Sequence, residues 1–243
     1  MVKNDYFAQK LDEVETEVVN KFRNVTVLYS LESLSQGKLK DILLQRRLLV
    51  LESFERFYNH AICNMMYEKA KEMGRKIVLD EYPLVGPTHR EDAIYDMMLS
   101  GIERVDILCS KYTLCTQETM EQLVAMVRYS KEDAEEQALF DVQVVSALRM
   151  YEILAGEETD IIFQVLKRSY GLTEENSHYF WPHVVHDKKR GSLGMVGDTH
   201  ADSLGMVLLE LVDTEQKQEK SAQTLRKMGD VRMDFYAQFL ETA

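Results

Sequence analysis

His183 and Asp187 stand four positions apart, so on a helix their side chains leave one face a turn apart and can grip a single metal ion. A capping or salt-bridged pair on a surface helix uses the same spacing. Glu152 lies among Leu148, Met150, Tyr151, Ile153, Leu154 and Ala155, a stretch that reads as buried. A carboxylate there needs a counter-charge, since an unpaired buried one costs on the order of several kcal/mol. An ion pair with Arg149, exposure on a narrow polar stripe, or a metal ion would each meet that need. Glu81 and His89 flank a loop stiffened by Pro83 and Pro87, and both side chains could point inward. A solvated loop acid and a half-exposed first-turn histidine are their plainer readings. His200 follows a glycine-rich stretch and adjoins a new helix start, where capping is its simplest role.

Carboxylates and imidazoles spread over several helices are what a pair of iron or manganese ions requires. Asp80, Glu91 and Asp92 are rival carboxylates, with Glu91 engaged by a capping box. His60, His178 and His186 have no comparably spaced partner. There is no histidine and cysteine cluster of zinc spacing, no P-loop, no G-x-G-x-x-G after a strand and no G-x-S-x-G.

Helices must position these groups. Only three prolines occur in 243 residues, and Met, Leu, Glu, Lys and Ala are plentiful, which is helix-forming composition with few breakers. Apolar residues at spacings of three and four predict an amphipathic helix over about 6–23. A long or broken helix is expected over about 39–73, with Gly74 as its C-cap. A short apolar run from Ile77 then leads into the proline loop. Thr88 and Glu91 form a capping box for a helix reaching about Ser100. Further starts are read at Thr116 and Ser130. The stretch 138–154 is apolar on nearly every face and marks a central helix. Separate helices are expected over about 160–170 and from Thr173 to about 189. Glycines 191, 194 and 197 suggest a mobile break, and two last helices cover about 201–212 and 215–240.

A chain of this length with 45% hydrophobic residues can bury one core, so residues 1–243 are expected to form a single domain. A formal net charge of −12 without a basic run argues against nucleic acid or anionic membranes as partners. The first residues lack a signal-peptide pattern and no stretch of about eighteen apolar residues occurs, so a cytoplasmic location is expected. Cys63, Cys109 and Cys115 form no C-x-x-C pair and read as reduced, mostly buried thiols.

From about Ile77 onward the order and spacing of these residues resemble the haem-oxygenase-like diiron oxidases and oxygenases, a group that includes CADD-like proteins and has TenA and PqqC folds as relatives. Glu81 fits the acidic helix end, His89 the histidine opening the next helix, and Gly101 its close. Glu152 fits the middle glutamate about nineteen residues before the Tyr170-Gly171 helix end. Tyr179-Phe180 precede His183, and Asp187 completes an H-x-x-x-D pattern. The group's second histidine three residues later is replaced by Arg190, and His200 could take its place.

The resemblance implies an all-α, haem-oxygenase-like seven-helix bundle, a homodimer, with two Fe held by Glu81, His89, Glu152, His183, Asp187 and His200. Mn is a possible substitute, and O₂ would be co-substrate for oxidation of a small molecule. The alternatives are a metal-free TenA- or PqqC-like enzyme or ligand-binding protein, and an interaction module with a relict pocket.

Overall fold

The computed structural model describes residues 3–128, 134–187, 193 and 199–240. Among them there is no strand, and the order of elements is α1 (Lys3–Arg23), α2 (Thr26–Tyr29), α3 (Gln36–Arg47), a π-helical turn (Leu48–Glu52), α4 (Phe54–Asn64), α5 (Glu68–Glu81), α6 (His89–Leu99), α7 (Arg104–Cys109), α8 (Leu114–Met126), α9 (Ala134–Tyr170), α10 (Phe180–His186), α11 (His200–Leu211) and α12 (Glu215–Ala237). Among the described residues no helix is long and apolar enough to cross a membrane.

The axis of the molecule is α9, 37 residues long and hence about 55 Å. It packs against α1, α10, α11 and α12. Val142, Val145, Leu148, Ile153, Leu154, Phe163 and Leu166 lose almost all contact with solvent, each adding about 1.5–3 kcal/mol of burial. The expected break between residues 154 and 160 does not occur. Two acids in that interval are buried and paired across helices: Glu157 accepts from Arg23 on α1 at 2.7 Å and Glu158 from Arg46 on α3 at 2.5 Å.

Other boundaries also move. The 39–73 stretch is divided by the π-turn and by an extended link at Met65, and Gly74 lies inside α5 instead of ending a helix. A Cβ on Gly74 would stand 2.9 Å from Ile62 Cγ1, so this glycine permits close packing of α4 on α5. The run from Ile77 continues α5 to Glu81. The Thr88–Glu91 capping box forms, and Gly101 takes a φ of +83° after α6. The N-cap of α8 is Thr113, whose hydroxyl accepts from Thr116 N at 3.1 Å. Thr173 makes a turn with Asn176, and the following helix runs only over Phe180–His186. The start expected at Ser130, Arg190 and most of the glycine-rich stretch lie outside the described residues. All three cysteines are free, but Cys63 and Cys109 are exposed and Cys115 is half-buried, because their helices turn those positions away from the core.

The π-turn holds an unusual set of contacts. The carbonyls of Leu48, Leu49, Val50 and Leu51 accept hydroxyls from Tyr112 (3.4 Å), Ser53, Tyr151 (3.1 Å) and Tyr82 (3.2 Å) respectively. Single π-turns inside helices recur at functional sites, and this one presents Val50 and Leu51 to the centre described next.

Candidate metal centre

The six residues singled out in the sequence come together as two adjoining groups of three, Glu81 with His89 and His183, and Glu152 with Asp187 and His200. Glu81 is the last residue of α5 and His89 the first of α6, so the proline loop between them returns the chain to the same spot. His183 lies on α10. His89 Nδ1 is 2.7 Å from Glu81 Oε2, and His183 Nε2 is 3.6 Å from Glu81 Oε1. In the second group Glu152 comes from α9, Asp187 from the end of α10 and His200 from the first position of α11. His200 Nδ1 lies 3.5 Å from both Glu152 Oε2 and Asp187 Oδ1. The groups meet where His183 Nε2 is 3.9 Å from Asp187 Oδ2.

These distances are not a set of hydrogen bonds. His89 Nδ1, Asp187 Oδ1 and His200 Nδ1 are buried without a hydrogen-bond partner, although carboxylate oxygens stand close by. Leaving a buried polar atom unsatisfied costs about 1–3 kcal/mol, and three such atoms face the two groups. Their directions suit a shared cation better than one another, and oxygen and imidazole donors without sulfur suit iron or manganese.

Outer partners fix which nitrogen of His183 and of His200 faces inward. His183 Nδ1 lies 2.7 Å from the Tyr179 carbonyl and donates to it, which leaves Nε2 for the centre. His200 uses the other tautomer: Nε2 donates to Asp80 at 3.2 Å and Nδ1 faces Glu152. Asp80, a rival candidate in the sequence, thus lies one shell out. Tyr58 donates its hydroxyl to Glu152 from α4, and Arg149 pairs with Glu15 at 2.5 Å instead of with Glu152.

The carboxylates share a small enclosed volume, and burial and mutual repulsion act on them together. Burial raises the Asp187 carboxyl to about 7, with His183 opposing and Glu152 and Glu81 reinforcing that rise. Burial also acts to raise Glu81, but the His183 and His89 imidazoles close beside it bring it well below the usual carboxylate range. Burial would lower His183 and His200, yet the neighbouring carboxylates lift them to about 9 and about 10. Cation binding would displace those protons.

Buried aspartates outside the centre hold its helices. Asp96 on α6 accepts from Ser177 Oγ (2.7 Å) and the backbone N–H groups of His178 (2.8 Å), Tyr179 (2.9 Å) and Phe180 (3.0 Å), capping α10 from a distance. Asp141 on α9 does the same for α5 through Met66 N (3.0 Å) and Tyr67 N (2.8 Å). Neither residue stands out in the sequence except as an acid at an otherwise apolar position.

Two spaces adjoin the groups. A void of about 20 Å³ lies against Glu81, Glu152, His183 and Asp187 and is roofed by Val50, Leu51, Phe54 and Ala155. On the other side a cavity of about 420 Å³ is lined by His89, His183, Asp187 and His200 together with Met73, Leu79, Pro83 and Pro182.

No family model matches the chain, and no curated protein does. A solved structure does resemble it, a domain of unknown function with a heme oxygenase-like fold from Shewanella denitrificans OS217. The TM-score is 0.66 at 14% identity, over 95% of this chain and 92% of that one. The chain has the haem-oxygenase-like, all-helical fold.

Proposed function

We propose that this protein binds two metal ions, iron or manganese, in the paired triads and uses O₂ to oxidise a small molecule held in the adjoining cavity. The observation that carries the reading is the convergence of six acidic and imidazole side chains, with three buried donor atoms left without hydrogen-bond partners. Glu81, His89 and His183 would hold one ion and Glu152, Asp187 and His200 the other. When bound, the pair supplies reducing equivalents for activation of O₂.

The chain's own residues prepare the site for this. Tyr58 holds the Glu152 carboxylate in one orientation, Asp80 holds His200, and the Tyr179 carbonyl holds His183. Val50, Leu51, Phe54 and Ala155 keep the void between the triads apolar on its far side, which excludes water from the reacting groups.

The test is metal content after loading with ferrous iron under anaerobic conditions. About two ions per chain are expected, lowered by Glu152→Ala and by His183→Ala, and loaded wild type should consume O₂ on exposure to air. Equal and negligible iron in all three proteins would remove the reading.

A further inference from the structure

The outer side of the π-turn gathers cations in a chain whose net charge is −12. Arg47, at the end of α3, and Arg90, in the first turn of α6, share one carboxylate, Glu52. Arg47 Nη2 also donates to the Ile107 carbonyl at 2.9 Å and to Ser110 Oγ at 3.2 Å, and the Tyr112 hydroxyl donates to the Leu48 carbonyl at 3.4 Å. The link between α7 and α8 therefore lies over the turn. Lys111 precedes Tyr112 in that link, and the Arg56 charge acts on the same phenol from α4. Arg56 and Lys111 are exposed, and among the described residues no carboxylate lies within ion-pair distance of either. Counting Glu55 and Glu91, the neighbours of Arg56 and Arg90 in the chain, together with Glu52, the four cations still outnumber the acids. Tyr112 and Leu114 stand among them, 38% and 79% exposed. Arginine and tyrosine around an apolar side chain make a composition enriched where proteins dock.

This face backs onto the metal centre without blocking it. The inner side of the turn presents Val50 and Leu51 to the void against Glu81, Glu152, His183 and Asp187, and Arg90 adjoins His89 in the chain. None of Arg47, Arg56, Arg90, Lys111, Tyr112 and Leu114 lines the cavity of about 420 Å³, so a partner seated here leaves the mouth of that cavity open. A centre that spends electrons on O₂ needs a donor, and electron-transfer encounters use small, transient interfaces of this kind. Charge selects the donor. The screening length is about 8 Å at physiological ionic strength, so the remote acids of the chain act weakly and the cations at the contact favour an acidic surface.

We propose that this face docks an acidic iron–sulfur electron-carrier protein, with Arg56, Arg90 and Lys111 meeting its carboxylates and Tyr112 and Leu114 forming the apolar middle of the contact. The proposal rests on the two-metal reading, because it supplies the reductant which that reading requires. Each encounter passes one electron from the reduced carrier to the centre, so two encounters return two ferric ions to the ferrous state, and no group is transferred.

The probe is an acidic [2Fe–2S] ferredoxin. Its oxidised form is titrated calorimetrically into iron-loaded protein at about 0.15 M salt, with bound iron measured on the same samples, and its reduced form is mixed anaerobically with air-oxidised protein. The double variant Arg56→Glu/Lys111→Glu should bind at least about tenfold more weakly than wild type and accept electrons from ferredoxin correspondingly more slowly, while its reduction by dithionite is unchanged. Arg56→Lys should bind like wild type. Lys21→Glu, a charge reversal on the exposed end of α1, should also bind like wild type. Equal binding by wild type and the double variant would overturn the docking surface and leave the metal reading standing. A loss as large in Lys21→Glu as in Arg56→Glu alone would make the effect one of net charge and overturn it too. Protein that takes up no iron would overturn the two-metal reading and electron delivery with it, whatever the binding.

Discussion

His89 and Asp96 lie seven positions apart on α6, the first facing Glu81 at the end of α5 and the second holding the start of α10, the helix that carries His183. His89 faces Glu81 at 2.7 Å, and Asp96 receives the backbone donors that open the segment carrying His183. One helix therefore fixes both the position of one imidazole and the register of the other.

Asp96→Asn tests that coupling. The amide keeps the size of the carboxylate but has one accepting oxygen where Asp96 uses two, and it loses the charge that strengthens bonds to backbone donors. A loss of about 2 kcal/mol is expected, seen as a drop of several degrees in Tm. Metal retention should fall with it, because α10 carries His183 and leads into Asp187. Unchanged Tm and metal content would show that Asp96 does not set this register.

The start of α11 is held from behind. Arg149 binds Glu15 through Nε at 2.5 Å and Nη2 at 2.9 Å, and Nη1 donates to the carbonyl of Ala201, the residue after His200. Gly205 leaves room for this guanidinium: a Cβ there would fall within 2.9 Å of Arg149 Cζ and 3.0 Å of Leu193 Cδ1. Gly205→Ala should displace Arg149 from Ala201 and cost about 1–3 kcal/mol. Metal stoichiometry should fall from two towards one per chain, since His200 belongs to the second group alone, while far-UV circular dichroism stays that of wild type. Full stoichiometry in this variant would show that α11 is positioned by other contacts.

Tyr58→Phe removes one hydroxyl and keeps the ring, which stacks on Phe54 with centroids 4.3 Å apart. Glu152 Oε1 then loses its phenolic donor. Outer-shell partners of this kind are worth roughly tenfold or more in metal affinity, so the second ion should bind about tenfold more weakly in competition with a chelator. The first ion should be unaffected, because Tyr58 does not contact Glu81, His89 or His183 by hydrogen bond. Equal weakening of both ions would point to a general loss of packing.

The legible parts of the centre are those punctuated locally. The Thr88–Glu91 capping box fixes the start of α6 and so the placing of His89, whereas the cap of α11 is Thr199, which accepts from Asp202 N at 3.1 Å, and not His200, the residue after it. Glu152 is legible because a carboxylate among Leu148, Met150 and Ile153 demands a reason. The hidden parts act across long sequence separations. Arg149 finds Glu15 134 positions away, and Asp96 caps a segment more than 80 positions on, so no window of local pattern contains both partners. The continuity of α9 is hidden for the same reason: the partners that let Glu157 and Glu158 be buried within it, Arg23, Arg46 and Arg232, come from other helices.

That last network gives a prediction in pH. Glu158 is fully buried, accepting from Arg46 Nε at 2.5 Å, from Arg232 Nη2 at 2.8 Å and from the Tyr236 hydroxyl. Burial acts to raise its pKa, but the two guanidinium groups and the hydroxyl outweigh it, and the folded value lies below the ordinary 4.5. A group lowered on folding stabilises the protein fully above its unfolded pKa and loses that contribution as pH falls through the folded pKa. Glu158→Gln leaves two buried cations without their anion and should cost about 3–5 kcal/mol at neutral pH. In urea denaturation the gap between wild type and Glu158→Gln should be widest and level above about pH 5, then narrow as the pH drops further, because only wild type has this carboxylate to protonate. A gap that stays constant down to pH 3, or widens there, would mean that Glu158 is not held as the anion between Arg46 and Arg232.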